Sequence, residues 1–270
     1  MNSEIQTSKY PKIWQAIVVL LITLFIILVL GTIAFFIVGG KSVLLSEALI
    51  ILPALYFVIR YNYSPTRLFR LRPIKIKLFL LSIALGIALT IISDEIDRLI
   101  QHLFTIPESF RLAYEKFLVI NSVSDFMIVI FSAVILAAVL EEMLFRGFLQ
   151  STLENNFKVT PAILITAFIF AIFHGYPWVL IQIFIMGIIM GLLAWKSNSI
   201  FPSMIVHFIN NGIAIIFLNL KQANYQWYLN GSYVSSPILI IALLVLIFGM
   251  ILFFQLCTST STDRLQNSQN

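Results

Sequence analysis

The sequence predicts an all-α polytopic membrane protein of about eight transmembrane helices, with a polar site in a buried intramembrane pocket. Three observations predict it. Hydrophobic residues make up 60% of the 270 residues and charged residues only 11%, with a mean hydropathy of +0.99, against about 25% charged residues in a soluble domain. The apolar residues fall in runs long enough to cross a hydrocarbon core of about 30 Å as helices. One of the most apolar of these runs, FMIVIFSAVILAAVLEEMLFRGFL from Phe126 to Leu149, carries two adjacent glutamates and an arginine, Glu141, Glu142 and Arg146.

Composition excludes several classes. The length leaves no room for a large extramembrane module beside eight spans. The net charge of +5 is spread between hydrophobic runs and forms no soluble basic patch, so no nucleic-acid partner is expected. The single cysteine, Cys257, excludes an intramolecular disulfide and any cysteine-based metal cluster.

The expected spans are 13–38, 43–60, 78–101, 124–149, 160–176, 178–196, 199–220 and 236–256. The first is too long for a signal-peptide core and lacks a small-x-small cleavage site, so it reads as a signal anchor. With the N-terminus inside, the inner segments hold Lys9, Lys12, Arg60, Arg67, Arg70, Arg72, Lys75, Lys77, Arg146, Lys158, Lys196 and Arg264. The outer ones hold Lys41, Arg98, Arg111, Lys116 and Lys221. That asymmetry predicts a multi-pass protein of the plasma membrane with both termini cytoplasmic. Most of it comes from the 60–77 loop, RYNYSPTRLFRLRPIKIK, whose charges also suit anionic membrane lipid.

Asp94, Glu95, Asp97 and Arg98 fall near the far end of the third span and read as a solvated helix end. The mixed pattern over 102–123 suggests an outer-surface amphipathic helix or loop. The stretch after Cys257, TSTSTDRLQNSQN, shows no apolar periodicity and is expected to be disordered. The resulting organisation is a cytoplasmic tail (1–12), N-terminal transmembrane helices (13–123), a catalytic core (124–220), a C-terminal transmembrane helix (221–256) and a disordered tail (257–270). No internal repeat or inverted pair of broken helices is evident, which weakens a transporter reading.

The charged residues of the fourth span matter energetically. Each costs about 2.5–3.5 kcal/mol near the middle of a membrane helix, so the three together cost up to roughly 10 kcal/mol unless they pair, neutralise or face a wet cavity. Further polar groups lie in neighbouring spans: Phe170 and His174 form F-x-x-x-H in the fifth, and His207 and Asn211 form H-x-x-x-N in the seventh. Residues four apart share a helix face, so Glu142 meets Arg146 and His207 aligns with Asn211. Glu141 is turned by about 100° from Glu142 and is free for another task. Phe170 can wall the pocket or stack on His174. Singly, each group has a structural reading: an intramembrane His or Asn often ties two helices together, and Glu142–Arg146 can be a structural ion pair. That account leaves Glu141 without a partner on its own helix. Convergence suits acyl hydrolysis, with a glutamate taking a proton from water and imidazole and amide donors holding a developing oxyanion. Ser132, Thr166, Gln182 and Asn210 read as packing or secondary hydrogen bonds.

E-E-x-x-x-R, F-x-x-x-H and H-x-x-x-N on successive spans resemble the CPBP (Abi) family of intramembrane proteases, over about 125–215. That family includes type II CAAX prenyl endopeptidases and bacterial proteins of bacteriocin maturation or self-immunity, and it is often classed as metalloproteases. The resemblance implies an eight-helix fold and an intramembrane endopeptidase acting on a peptide or small membrane-protein substrate. It further implies Glu141 as the water-activating base with Glu142 and Arg146 in support. His174 then positions the water, and His207 with Asn211 forms the oxyanion hole. No cofactor is favoured. Zinc is the alternative, and its ligands would be Glu141, His174 and His207, although H-E-x-x-H is absent and the histidines lie on separate helices. Two other functions compete: a non-catalytic membrane immunity or scaffold protein that keeps the pocket for binding, and a proton-coupled transporter using the same groups as a relay. One obstacle is depth. Counted along the helices, His174 lies deeper than Glu141 and His207 by about 10 Å.

Overall fold

A computed structural model describes residues 10–39, 42–109, 111–112 and 118–267. The regular structure of these residues is helical apart from one small hairpin. Its helices are α1 (Ile13–Val38), α2 (Ser42–Ile50), α3 (Leu52–Arg60), the single turn α4 (Pro65–Leu68), α5 (Ile76–Leu103), α6 (Val123–Asn156), α7 (Val159–Phe173), α8 (Leu180–Ser197), α9 (Phe201–Asn219) and α10 (Ser236–Asn267). The hairpin pairs Leu229 with Val234 and Asn230 with Tyr233, antiparallel.

Among the described residues, six helical stretches are long and apolar enough to cross a membrane: 13–38, 76–103, 123–156, 177–197, 201–219 and 236–258. The two other expected spans take different forms. The 43–60 run is broken into α2 and α3, with Pro53 in the first turn of the second. Proline lacks an N–H and its ring clashes with the carbonyl four residues back, so a continuous helix ends there. The 160–176 run is the fifteen-residue α7, which ends at Phe173. Gly175 follows in a left-handed conformation (φ 63°), the usual way a helix is closed at its C-terminus, and Pro177 starts a new 3₁₀ turn.

Two further boundaries differ from expectation. Helix α6 continues past 149 to Asn156, and Gln150, Ser151, Thr152 and Leu153 are all buried. These last turns are covered by the 64–75 loop: Arg70 pairs with Glu154, and the Ser151 hydroxyl donates to the Leu68 carbonyl at 3.1 Å. The final helix runs through Asn267, so residues 257–267 are helical where disorder was expected, and 268–270 lie outside the described part. A helix already nucleated adds one hydrogen bond for each residue fixed, and weak formers such as Ser and Thr can be carried along. Of the 102–123 segment, residues 110 and 113–117 lie outside the described part.

The loops gather at two ends of the bundle. At one, the Ser199 hydroxyl donates to the Arg72 carbonyl at 2.5 Å and the Ile200 N–H to the Arg70 carbonyl at 3.2 Å. At the other, the acidic cluster of α5 does more than meet solvent. Arg98 pairs with Asp94 at 2.9 Å and donates to the Ser232 carbonyl, while Glu95 accepts from the Val234 N–H at 2.7 Å, fastening the hairpin to the helix end. Tyr228 is held beside Asp94, and burial, then the Asp94 charge, pushes its hydroxyl well above the ordinary phenol range. Large apolar side chains cover the outer faces, Phe25 and Phe36 on α1 and Phe248 on α10 among them, as lipid contact requires.

Candidate active site

The site is built on α6. Its backbone widens from α- to π-helical turns over Ile130–Leu136 and again over Met143–Leu149, with a short α segment carrying Glu141 and Glu142 between them. Such π turns are rare and occur often at functional sites. Glu142 and Arg146 are wholly buried. Arg146 Nη1 donates to Glu142 Oε1 at 2.7 Å, and Nη2 reaches the Gly187 carbonyl of α8 at 3.4 Å. The guanidinium lies 4.0 Å from the centre of the Phe170 ring, a cation–π arrangement that adds to the ion pair. Phe170 therefore does more than wall the pocket: it is the floor on which the cation rests.

His207 sits between the two glutamates. Its Nδ1 is 3.1 Å from Glu142 Oε1 and its Nε2 is 3.9 Å from Glu141 Oε2. Glu142 Oε1 already accepts from Arg146, so the hydrogen between it and His207 belongs to Nδ1. The Phe170 ring meets both imidazoles edge to face, with centroids 4.7 Å from His174 and 5.9 Å from His207. His174 caps α7, and its Nδ1 lies 2.9 Å from the Phe170 carbonyl. A carbonyl can only accept, so Nδ1 carries the hydrogen and the neutral ring presents Nε2 as an acceptor.

Beside this cluster lies a cavity of about 210 Å³, lined by Ser46, Glu47, Ile50, Glu141, Phe145 and His174 among others. Glu141 Oε2 and Glu47 Oε2 are both buried without a hydrogen-bond partner among the described residues, His207 Nε2 standing off at 3.9 Å from the former, and the two carboxyl groups lie within reach of one another. The depth obstacle is resolved by the true end of α6. Glu141 and His174 each lie fifteen residues from the turn joining α6 to α7, between Asn156 and Val159. They are therefore level.

The structure thus brings together Glu141, Glu142, Arg146, Phe170, His174 and His207. Asn211 is one turn beyond His207, and its amide donates to the Ala133 carbonyl of α6 at 2.8 Å, which leaves one amide hydrogen for other use. Asn210 donates to the Asn211 side-chain oxygen at 3.3 Å, and Ser132 to the Ile128 carbonyl at 2.6 Å. No group of three or more His, Cys, Asp or Glu side chains among the described residues is spaced to hold a metal ion. A typical catalytic zinc site takes three protein ligands, and Glu141, His174 and His207 do not form such a group.

Sequence reasoning passed over Glu47. The signal was present: a lone glutamate in the apolar run SVLLSEALIILPALYF carries the same desolvation cost as Glu141. It has no partner at helical spacing and no motif around it, so only the packing of α2 against α1 and α6 reveals its target. Gly31 lets α2 approach α1, since a Cβ there would lie 3.1 Å from Ser46 Oγ.

Residues 123–213 match the model of the family described as Type II CAAX prenyl endopeptidase Rce1-like. No curated protein and no solved structure matches the chain.

Proposed function

We propose that this multi-pass membrane protein, whose residues 123–213 match the Type II CAAX prenyl endopeptidase Rce1-like family, hydrolyses a peptide bond by a Glu141-activated water inside the membrane. The observation that carries the reading is Glu141: a carboxylate with an unpartnered oxygen, facing a cavity large enough for water and a substrate backbone.

Water in that cavity donates one hydrogen to Glu141 Oε2 and the other to His174 Nε2, leaving a lone pair aimed at the substrate carbonyl. Glu141 takes the proton as the oxygen attacks. Glu142, neutralised by Arg146, fixes His207 through Nδ1 and takes no part in proton transfer. His207 and the remaining amide hydrogen of Asn211 stabilise the oxyanion. For His207 to donate from Nε2 the ring must be an imidazolium, and Glu141, 3.9 Å from that nitrogen, supplies the counter-charge. The donor set present does not fit a three-ligand zinc site, so no step is routed through a metal.

The substrate is a peptide or small membrane protein, in bacteriocin maturation or self-immunity, and the enzyme lies in the plasma membrane with both termini cytoplasmic. The test uses purified protein in proteoliposomes and quenched fluorescent peptides, some farnesylated at a C-terminal CaaX-type cysteine. Glu141→Gln keeps the shape and one acceptor, so turnover should fall by about 10²–10⁴-fold with unchanged thermal stability. Near-normal turnover in that variant would remove Glu141 from the chemistry.

A further inference from the structure

Glu47 belongs to α2, outside the segment that matches the protease family. Nothing in the mechanism above uses it. We propose that Glu47 is a second catalytic carboxyl, the general acid that protonates the departing amine while Glu141 acts as the base; the inference rests on the peptidase reading of the same site.

The cavity carries the argument. Glu47 and Glu141 reach it from different helices, each with a buried oxygen lacking a donor, and their carboxyl groups are close enough to share a hydrogen bond. Two carboxylates facing each other away from water cannot both stay ionised without a cation between them. The cations at the site do not balance both: Arg146 is engaged by Glu142, the Gly187 carbonyl and the Phe170 ring, and an imidazolium at His207 offsets Glu141 alone. The pair therefore holds one proton. Glu47 is placed to carry it, because Glu141 has His207 Nε2 at 3.9 Å, whereas Glu47 forms no ion pair among the described residues and shares the cavity only with the neutral ring of His174.

This division of roles meets a chemical need. Peptide hydrolysis requires a base at the start and an acid at the end, since an amide nitrogen leaves only once protonated. Glu141 takes a proton from water as the water oxygen bonds to the carbonyl carbon. The tetrahedral oxyanion then collapses, the carbonyl re-forms and the C–N bond breaks, and the nitrogen takes the proton of Glu47. Glu141 now bears the proton and Glu47 is ionised. Transfer across their hydrogen bond restores the starting state. Water and substrate give acid and amine, with no proton left over.

The role makes a prediction that a structural role would not. Peptides and activated nitrophenyl esters of the same acyl sequence are compared, in proteoliposomes, on the full chain. An activated phenolate leaves without protonation, so it needs the base and not the acid. Glu47→Gln should lower kcat on the peptide by about 10²-fold or more, with little change in KM, and leave ester hydrolysis within a few-fold of wild type. Glu141→Gln should lose both activities. Glu47→Asp, which keeps an ionisable proton, should recover part of the peptide turnover.

Equal loss of peptide and ester activity in Glu47→Gln, or no loss of either, overturns the acid role while the peptidase reading stands. A wild type inert on every peptide and ester overturns the peptidase reading, and the acid role with it. Melting curves of each variant separate a fold defect from a chemical one: Glu47→Leu, which fills the cavity with apolar bulk, should melt no lower than Glu47→Gln while losing peptide turnover at least as fully. Recovery of peptide turnover by Glu47→Leu would also refute the acid role.

Discussion

Arg146→Ala should cost the protein its fold before it costs the chemistry. Arg146 and Glu142 are both 0% exposed, and the guanidinium is the only Lys or Arg paired with that carboxylate among the described residues. Removing it leaves a buried carboxylate without its counter-charge, a loss of roughly 3–5 kcal/mol. The stack on Phe170 adds about 0.5–2 kcal/mol. His207 Nδ1, 3.1 Å from the same oxygen, remains as a donor and keeps the net effect near the lower end. The expected total of about 3–5 kcal/mol is a large part of a typical folding stability of about 5–15 kcal/mol. The assay is the fraction of monodisperse protein by size-exclusion chromatography after a heating series in detergent. Removing both charges, as Glu142→Gln with Arg146→Gln, leaves nothing uncompensated and should destabilise less than Arg146→Ala alone. A single variant as heat-resistant as wild type, or a double variant weaker than the single, would refute the reasoning.

Three other outcomes are expected. Asn211→Ala should lower turnover by about 10²–10³-fold, the usual loss for one oxyanion donor, and wild-type activity should survive exhaustive chelation; a near-silent Asn211→Ala with activity lost on chelation and restored by one equivalent of zinc would establish a metal mechanism instead. Gly147→Ala should destabilise by about 1–3 kcal/mol, read as a lower melting temperature, because its Cβ would stand 2.8 Å from the Phe69 backbone and push the 64–75 loop off α6. Cysteines placed at Asn62 and at Gly231 in a Cys257→Ser background should be labelled from opposite sides by an impermeant reagent, the first from the cytoplasm; labelling of both from one side overturns the topology.

The sequence made the membrane class and the core of the site legible for a single reason: a charge in an apolar run costs kilocalories, so Glu141, Glu142 and Arg146 stand out without any knowledge of contacts. Spacing on a helix then paired Glu142 with Arg146 and set Phe170 one turn before His174, and both pairings are present. What spacing does not carry is the length of a helix whose end is covered by protein. The run ends at Leu149 by hydropathy, yet Gln150, Ser151 and Thr152 are buried through hydrogen bonds to Glu154, the Gly191 carbonyl, the Leu68 carbonyl and the Phe148 carbonyl. Polar residues satisfied by protein look in a sequence like residues satisfied by water. The 10 Å gap in depth came from that one misplaced end.

The same limit explains Asn211 and Glu47. Asn211 shares a face with His207 as the spacing requires, but half of its donor capacity is used to join α9 to α6, so it is a helix tie as well as a candidate oxyanion donor. Glu47 is the opposite case, a residue with no local pattern whose partner lies 94 positions away on another helix. A buried glutamate that has neither a cation at helical spacing nor a motif must find its compensation across the bundle or hold a proton. In a chain this poor in charge, with every other acidic group at the site already matched to a cation or an imidazole, that choice narrows to the one carboxyl facing it. On the proposed mechanism the helix that carries Glu141 draws its second carboxyl from a segment that no motif marks, and the N-terminal helices would then serve the chemistry as well as the anchor.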